Sequence, residues 1–588
     1  MAEKQILIEK HSFAKEAIFT FKSNILICLR FLKNVFVTRA KKFPCPSQLK
    51  NRPIISASET DLWTNDDTEQ NWILTAGKVE NLRIAIKRLN GIEVPANGVF
   101  SFWAHIGSPS RFRGFVIGRE IREGCLVPTV AGGLCQLSNA LYDAALKAGF
   151  QIIERHKHTR VIKGSLSEID RDATVKWNYI DLRFKSHFPF RIEIDLTADK
   201  LIVAFKSTTK NHAPLESTFK INQAVKLNDC YSCGNFECFK NPDKALKKNH
   251  LATTTFMLDE KWTEYETYIN EIAKPEDSFI TPFTSHSRVK INRITWNPAN
   301  HKNSYTVSLL AFYRSLCFRA FANSERKNIF ALTLDLDRKV ARQMAKHIPI
   351  ESTHIVISQN LLPFVWETGA LGGRTFDVLM TRLPLEKLHE RLDSAFKKYS
   401  ESPTLGDFRA PELLVGLETT ALTKARHIIT PHQEIADLFN NKSKHVNWKR
   451  PKVTPRLMIG NKILFPASAL GRKGAYEVRQ LALELGLTIT IMGDATEHEG
   501  FWNGVKIEES KTNPLEGVAL VIFPAHVEHQ PRFLLKAIAA GIPVITTKAS
   551  GLNCEENVSI VSTGDYEALK RIVVEKLKTL QALPLKVS

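Results

Sequence analysis

Long apolar runs are missing from this 588-residue sequence. None reaches about 18 consecutive residues, so no membrane-spanning helix is expected. The short run "NILICLR" near the N-terminus has no small-residue cleavage site soon after it, so no secretory signal is read and a cytoplasmic location is expected. No period of about 20 to 50 residues marks a solenoid. The nine cysteines lack the regular spacing of a disulfide scaffold and read as reduced thiols. No basic and aromatic motif of a nucleic-acid binder is present.

What is present is a globular composition, 43% hydrophobic and 24% charged, in a chain too long for one core. The formal charge of +20 favours anionic partners. Texture divides the chain into four parts. Residues 1–65 read as a basic arm and linker, 66–280 as an α+β domain, and 281–455 and 456–588 as two α/β lobes in which strands alternate with helices.

In the arm, Lys15, Lys22, Arg30 and Lys33 fall within about 80° of one helical face, and apolar residues fill the remaining arc. Such a helix over residues 14–43 suits an anionic membrane surface, or packs on its own domain. The stretch "FPCPSQLKNRPIISASET" that follows has a linker's composition.

The α+β domain carries a candidate catalytic group. Cys135 opens a helix behind Gly132 and Gly133, where the helix dipole favours a thiolate. His156 and His158, two apart on an expected strand, point to one face, and Asp172 opens a further expected strand. A thiol, an imidazole base and an orienting carboxylate are the parts of a thiol amidase or acyltransferase, here acting on peptide-bearing glycan. Plain core packing of Cys135 and a zinc site made with the two histidines are the alternatives. Farther on, Cys230, Cys233 and Cys238 supply three soft ligands, enough with a fourth for a structural zinc.

The stretches "GVFSFWAHIG", "AGGLCQLSNALYDAALKAGF", "IIERHKHTRV" and "DATVKWNYIDLRFKS" resemble, in order, the VanW family, named from glycopeptide-antibiotic resistance clusters. The resemblance covers about 90–210 and implies a bacterial protein of the cell envelope, with no activity attached.

In the last lobe, Gly471, Arg472, Lys473 and Gly474 form a basic glycine turn at a helix start, and helix-start amides with two cations suit a diphosphate. Glu528 stands at the carboxyl end of a strand, where open α/β sheets bind ligands. The stretches "ILFPASALGRKGAYEV", "LTITIMGD" and "ALVIFPAHVEHQPRFLLKAIAAGIPVITTKASGL" are similar to the donor lobe of family 4 glycosyltransferases. That similarity implies two Rossmann-like lobes of the GT-B kind, a nucleotide-diphosphate sugar donor, a glycan or lipid-linked acceptor and retention of anomeric configuration.

The similarity further implies that Lys473 is the diphosphate lysine and Glu528 the first glutamate of a Glu-x7-Glu motif. The chain departs from the family at Lys536, which replaces the second glutamate, and at Ala467 and Ser468, where a Gly-Arg pair is expected. A transferase with a diverged site and a non-catalytic envelope scaffold both follow from these residues. "ETGALGGRTFDVL", with three glycines and Arg374, is read as an acceptor-side loop or a plain turn.

Overall fold

A computed structural model describes residues 13–34, 41–63, 69–122, 125–158, 166–177, 179–208, 228–229, 253–288, 291–297, 303–321, 326–407, 409–453, 460–509 and 514–582. Cys230, Cys233 and Cys238 lie outside them. The chain forms two compact units, the first of 1–253 with 349–353 and 369–374, the second of 254–348, 354–368 and 375–588.

The first unit runs α1 (Phe13–Lys33), β1 (Ile54–Asp61), α2 (Glu69–Leu89), β2 (Glu93–Val94), β3 (Val99–Ser101), α3 (Phe102–Ile106), β4 (Ile117–Arg122), β5 (Cys125–Val130), α4 (Leu134–Lys147), β6 (Gln151–Glu154), β7 (Arg183–Lys185), β8 (Phe190–Leu196), β9 (Lys200–Lys206) and β10 (Asn228–Asp229). Its sheets have the orders β1-β9-β8-β2, β3-β7-β6 and β10-β5-β4. Strand β8 buries Phe190, Ile192, Ile194 and Leu196 on alternate positions, the period of a half-buried strand. Phe150, Phe190 and Phe205 meet beneath α4, whose Leu137, Leu141 and Ala144 are fully buried in the same core.

One boundary in the first unit needs correction. Residues 54–61, read as linker, are strand β1, paired antiparallel with β9 from Ile54–Lys206 to Asp61–Lys200. Its inward positions are Ser56 and Ser58, so no apolar alternation announced it; Ser56 Oγ donates to the Ala144 carbonyl at 2.9 Å. In α1, Arg30 is committed to the protein. Its guanidinium grips Glu154 with two bonds of 2.8 and 2.7 Å and ties the helix to its own domain. Ile18, Phe21, Ile25 and Leu29 remain exposed. Among the described residues no helix is long and apolar enough to cross a membrane.

The second unit runs β11 (Thr253–Met257), α5 (Thr263–Ile272), β12 (Ser278–Thr281), β13 (Phe283–Thr284), β14 (Thr295–Trp296), β15 (Asn303–Thr306), α6 (Ser308–Ala320), α7 (Arg326–Ala345), β16 (Ser352–Ser358), α8 (Leu362–Glu367), β17 (Thr375–Leu379), α9 (Leu385–Lys398), α10 (Pro403–Gly406), α11 (Glu412–Lys424), β18 (His427–Thr430), α12 (Gln433–Leu438) and β19 (Ser443–His445). It continues with β20 (Lys462–Phe465), α13 (Ala475–Leu485), β21 (Thr488–Ile491), β22 (Lys506–Glu509), β23 (Val518–Phe523), α14 (Arg532–Ala539), β24 (Val544–Thr547), β25 (Val558–Val561) and α15 (Tyr566–Ala582).

Two large sheets result, β15-β12-β11-β16-β17-β18-β19 and β22-β21-β20-β23-β24-β25, beside a two-stranded β13-β14 pair. The strand pairs of the second are all parallel. Strand β23 is buried along its whole length, as a strand covered on both faces must be. In each sheet the order reverses once, between β11 and β16 and between β20 and β23, and ligands of doubly wound sheets bind at that reversal.

The first lobe therefore starts with β11 and not at 281, because β11 and β12 pair parallel inside its sheet. Both strands are short and separated by a single helix, too little for alternation to show in the sequence. "NIFALTL", read as a strand, lies in α7; an apolar run of that length fits either element until packing decides.

Candidate functional site

The turn after β20 and the loop after β23 leave their sheet on the two sides of its reversal point, and hydrogen bonds lock them together. The Arg472 carbonyl accepts from the amides of His526 and Val527 at 3.0 and 3.1 Å. Gly474 has φ 84°, and a Cβ there would meet the Pro524 carbonyl oxygen at 2.3 Å, so only glycine lets the turn approach this closely. Lys473 Nζ donates to Glu528 Oε2 at 2.7 Å. The other oxygen of Glu528 accepts from the amides of His529 and Gln530, both at 2.9 Å, which fixes the carboxylate at the entry to α14.

The turn's amides do not serve as expected. Gly471 N donates to buried Glu497 at 2.6 Å, Lys473 N to the Leu470 carbonyl and Gly474 N to the Gly471 carbonyl, both at 2.9 Å. Gly471 and Gly474 thus shape the turn, and its phosphate-binding capacity rests on the side chains of Arg472 and Lys473.

Arg472, Glu528 and His529 line a cleft of about 780 Å³ whose other wall includes Lys261, Asp337 and Arg382 of the first lobe. Lys261 follows β11, so the reversal points of both sheets open onto this space. His529 keeps a surface open to the cleft yet lies deep among protein atoms; that desolvation, then the charges of Arg382 and Lys473, push it down to about 3. The charges of Arg382, Lys473 and Arg472 around it make this end of the cleft electropositive.

The first-lobe wall holds residues that no motif announced. Arg314 bonds Asp259 at 2.5 and 3.1 Å and Asp337 at 2.8 Å. Burial outweighs the Arg314 charge and pushes the Asp337 carboxyl up to about 6. A polar pair in "LDLD" of a helix looks like surface sequence, and only the packing of α6 against α7 gives it this role. Arg382 is held by Glu418 at 2.9 Å. The lobes are joined by Arg532, at the start of α14, bonding the buried Glu264 of α5 at 2.6 and 2.7 Å. Lys536 is half-buried farther along α14. Arg374 is buried in the first unit and donates to the carbonyls of Ser352, Ala370 and Pro349, the turn-stabilising alternative of its two readings.

In the first unit, β6 ends at Glu154, so His156 and His158 do not sit on a strand and do not share a face. His156 is exposed, 3.4 Å from Glu154. His158 turns inward, its Nδ1 2.7 Å from Asp172 Oδ1, while its amide donates to Asp172 Oδ2 at 2.5 Å. Asp172 lies in an extended segment outside any strand, stitched to α4 by Ser138 Oγ donating to the Ala173 carbonyl at 2.5 Å and Asn139 accepting from the Ala173 amide at 2.7 Å.

Cys135, in the first turn of α4, is half-buried, with Thr174 Oγ1 at 3.6 Å and the Val175 carbonyl at 3.8 Å. Burial opposes the charged imidazole of His158, but hydrogen bonds to Asp172 and to Cys135 outweigh it and push the ring up to about 10. Among the described residues no group of His, Cys, Asp and Glu is arranged to hold a metal ion.

Residues 77–206 match the family described as VanW like protein. Over 130 residues, 22% of this chain and 42% of the relative, the chain is 32% identical to the uncharacterized protein YoaR of Bacillus subtilis (strain 168). Over 140 residues, 23% of this chain and 50% of the relative, it is 31% identical to the vancomycin B-type resistance protein VanW of Enterococcus faecalis (strain ATCC 700802 / V583). The chain spans half or less of the length of these relatives.

Among solved structures, sucrose-phosphate synthase from Thermosynechococcus elongatus is similar at 11% identity and TM-score 0.33, over 56% of this chain and 91% of that one. The lipopolysaccharide outer core galactosyltransferase WaaB, in its apo form, is similar at 12% and 0.30, over 56% and 90%. Anabaena Alr3699/HepE, solved with UDP and glucose, is similar at 14% and 0.31, over 56% and 91%. Residues 77–206 are a VanW-like domain, carried in one chain with two Rossmann-like lobes.

Proposed function

We propose that this chain transfers a sugar from a nucleotide-diphosphate sugar to a cell-envelope glycan or lipid-linked precursor, with retention of configuration. The observation that carries this reading is the Lys473–Glu528 pair at the reversal point of the second sheet, facing a cleft lined with further cations. Lys473 and Arg472 neutralise the diphosphate as the bond between its oxygen and the anomeric carbon breaks, the step at which negative charge grows. Glu528 holds the donor sugar, and the acceptor hydroxyl enters from the wall that bears Asp337. Lys536, standing where the family has a ribose-binding glutamate, alters nucleotide recognition and not the transfer step.

The same reading has the protein work at an anionic membrane surface on the cytoplasmic side. The exposed Ile18, Phe21, Ile25 and Leu29 share one side of α1 with Lys22, the arrangement of an interfacial helix. Isothermal titration of the purified chain with UDP, GDP and ADP tests the donor site. Binding of one of them is expected, and absence of binding for all three at millimolar concentration overturns the transferase reading.

A further inference from the structure

Outside the cleft, the molecule assembles a nucleophile, a base and an orienting carboxylate from three separate segments of the first unit. Cys135 comes from the first turn of α4, His158 from the segment after β6, and Asp172 from the stretch that runs along α4. The contacts that hold them are specific. Arg155 Nε fixes the Asp172 carbonyl at 2.7 Å, and the Thr174 amide donates to the His156 carbonyl at 2.9 Å, so the segments of His158 and Asp172 move as one. Both oxygens of Asp172 face His158, one at Nδ1 and the other at the amide, and the Cys135 thiol is a further hydrogen-bond neighbour of the same ring. Core packing of a cysteine requires none of this: a buried thiol needs no imidazole, and an imidazole needs no carboxylate doubly bonded to its ring and amide.

We propose that Cys135, His158 and Asp172 form a second catalytic centre, in the VanW-like domain, that cleaves a carboxamide or carboxylic ester and passes the acyl group to water. Sγ attacks the carbonyl carbon, and the resulting oxyanion is met by the amides of Leu134 and Cys135 at the start of α4, the Gln136 amide being taken by the Gly133 carbonyl at 3.1 Å. The carbon–nitrogen or carbon–oxygen bond then breaks, and the proton held on Nε2 goes to the departing amine or alkoxide. Water attacks the thioester, gives its proton to His158, and the carbon–sulfur bond breaks. The acid leaves, and the proton stays shared between the sulfur and the imidazole as at the start. Asp172 holds the ring in the tautomer and orientation that both halves of the cycle need. His156, exposed and directed to Glu154, takes no part.

The probe is p-nitrophenyl acetate, added to the full chain, with release of p-nitrophenolate followed in time and acetylated peptides identified by mass spectrometry. Cys135 is expected to be acetylated about 100-fold faster than the exposed Cys28 and Cys45, a comparison within the wild-type protein that needs no variant. Acetylation of Cys135 no faster than of those two thiols overturns the proposal. Cys135→Ser is expected to abolish the burst, and Asp172→Asn and His158→Gln to slow it about 100-fold, each with an unfolding curve taken alongside. His156→Ala is expected to change the rate by less than about twofold. Equal rates in folded His158→Gln and wild type also overturn the proposal.

Discussion

Substitution of Lys473 separates two roles that the structure leaves superimposed. Its ammonium bonds Glu528 at 2.7 Å and approaches the Val527 carbonyl at 3.4 Å, with both side chains mostly shielded from solvent. If the ammonium binds the donor diphosphate, Lys473→Ala removes a charge-assisted contact of about 1.5–3 kcal/mol. At about 1.4 kcal/mol per factor of ten, nucleoside-diphosphate affinity falls by roughly 10- to 150-fold. If the lysine only holds Glu528 in place, the loss vanishes once the carboxylate is gone.

Glu528→Gln is therefore the second arm. It frees the ammonium and removes a negative charge beside the phosphates, so nucleotide binding is expected to hold or tighten a few-fold, by roughly 1 kcal/mol or less, while sugar transfer is lost. The double variant completes the cycle. Titration calorimetry of the four proteins reads it directly. Should Lys473→Ala bind as tightly as its parent in the Glu528→Gln background, the diphosphate assignment of Lys473 is refuted.

Three further outcomes are expected. Arg532→Ala strands the buried Glu264 carboxylate with one backbone donor, Lys449 N at 2.8 Å, and should destabilise the second unit by about 2 kcal/mol, read as a fall in denaturation midpoint with unchanged slope. His158, raised from 6.5 to about 10 in the folded chain, contributes stability that is complete below about pH 6.5 and is lost as pH rises toward 10. Asp172→Asn should flatten that part of the stability profile, and an unaltered slope between those values would count against the ion pair. Leu29→Glu, on the exposed side of α1, should weaken sedimentation with vesicles containing phosphatidylglycerol and leave neutral vesicles unaffected, whereas equal binding to both would remove the electrostatic part of the membrane reading.

The sequence by itself determined the sheets and helices whose patterns are dense. Strand β8 alternates, β23 is apolar throughout, and α4 carries a continuous buried face, so local periodicity and burial agree. It also pointed to Cys135, Lys473 and Glu528, because they stand at a helix start, in a glycine turn and past a strand end, where chemistry leaves a local mark, whereas the strand expected to begin at Asp172 does not form. Tertiary structure alone decided between His156 and His158: β6 stops at Glu154, and the two rings then part.

Packing likewise turned Ser56 and Ser58 into the inner face of a strand, and committed the amides around Gly471 to the protein's own acceptors. Asp259, Arg314, Asp337 and Arg382 come together from distant segments, and a charged side chain looks the same in sequence whether it ends in water or against a buried partner. Local periodicity reports which face a residue takes on its own element. What lies opposite that face, and so whether an ionisable group is solvated, paired or poised for a ligand, is set by long-range contacts that carry no local signature.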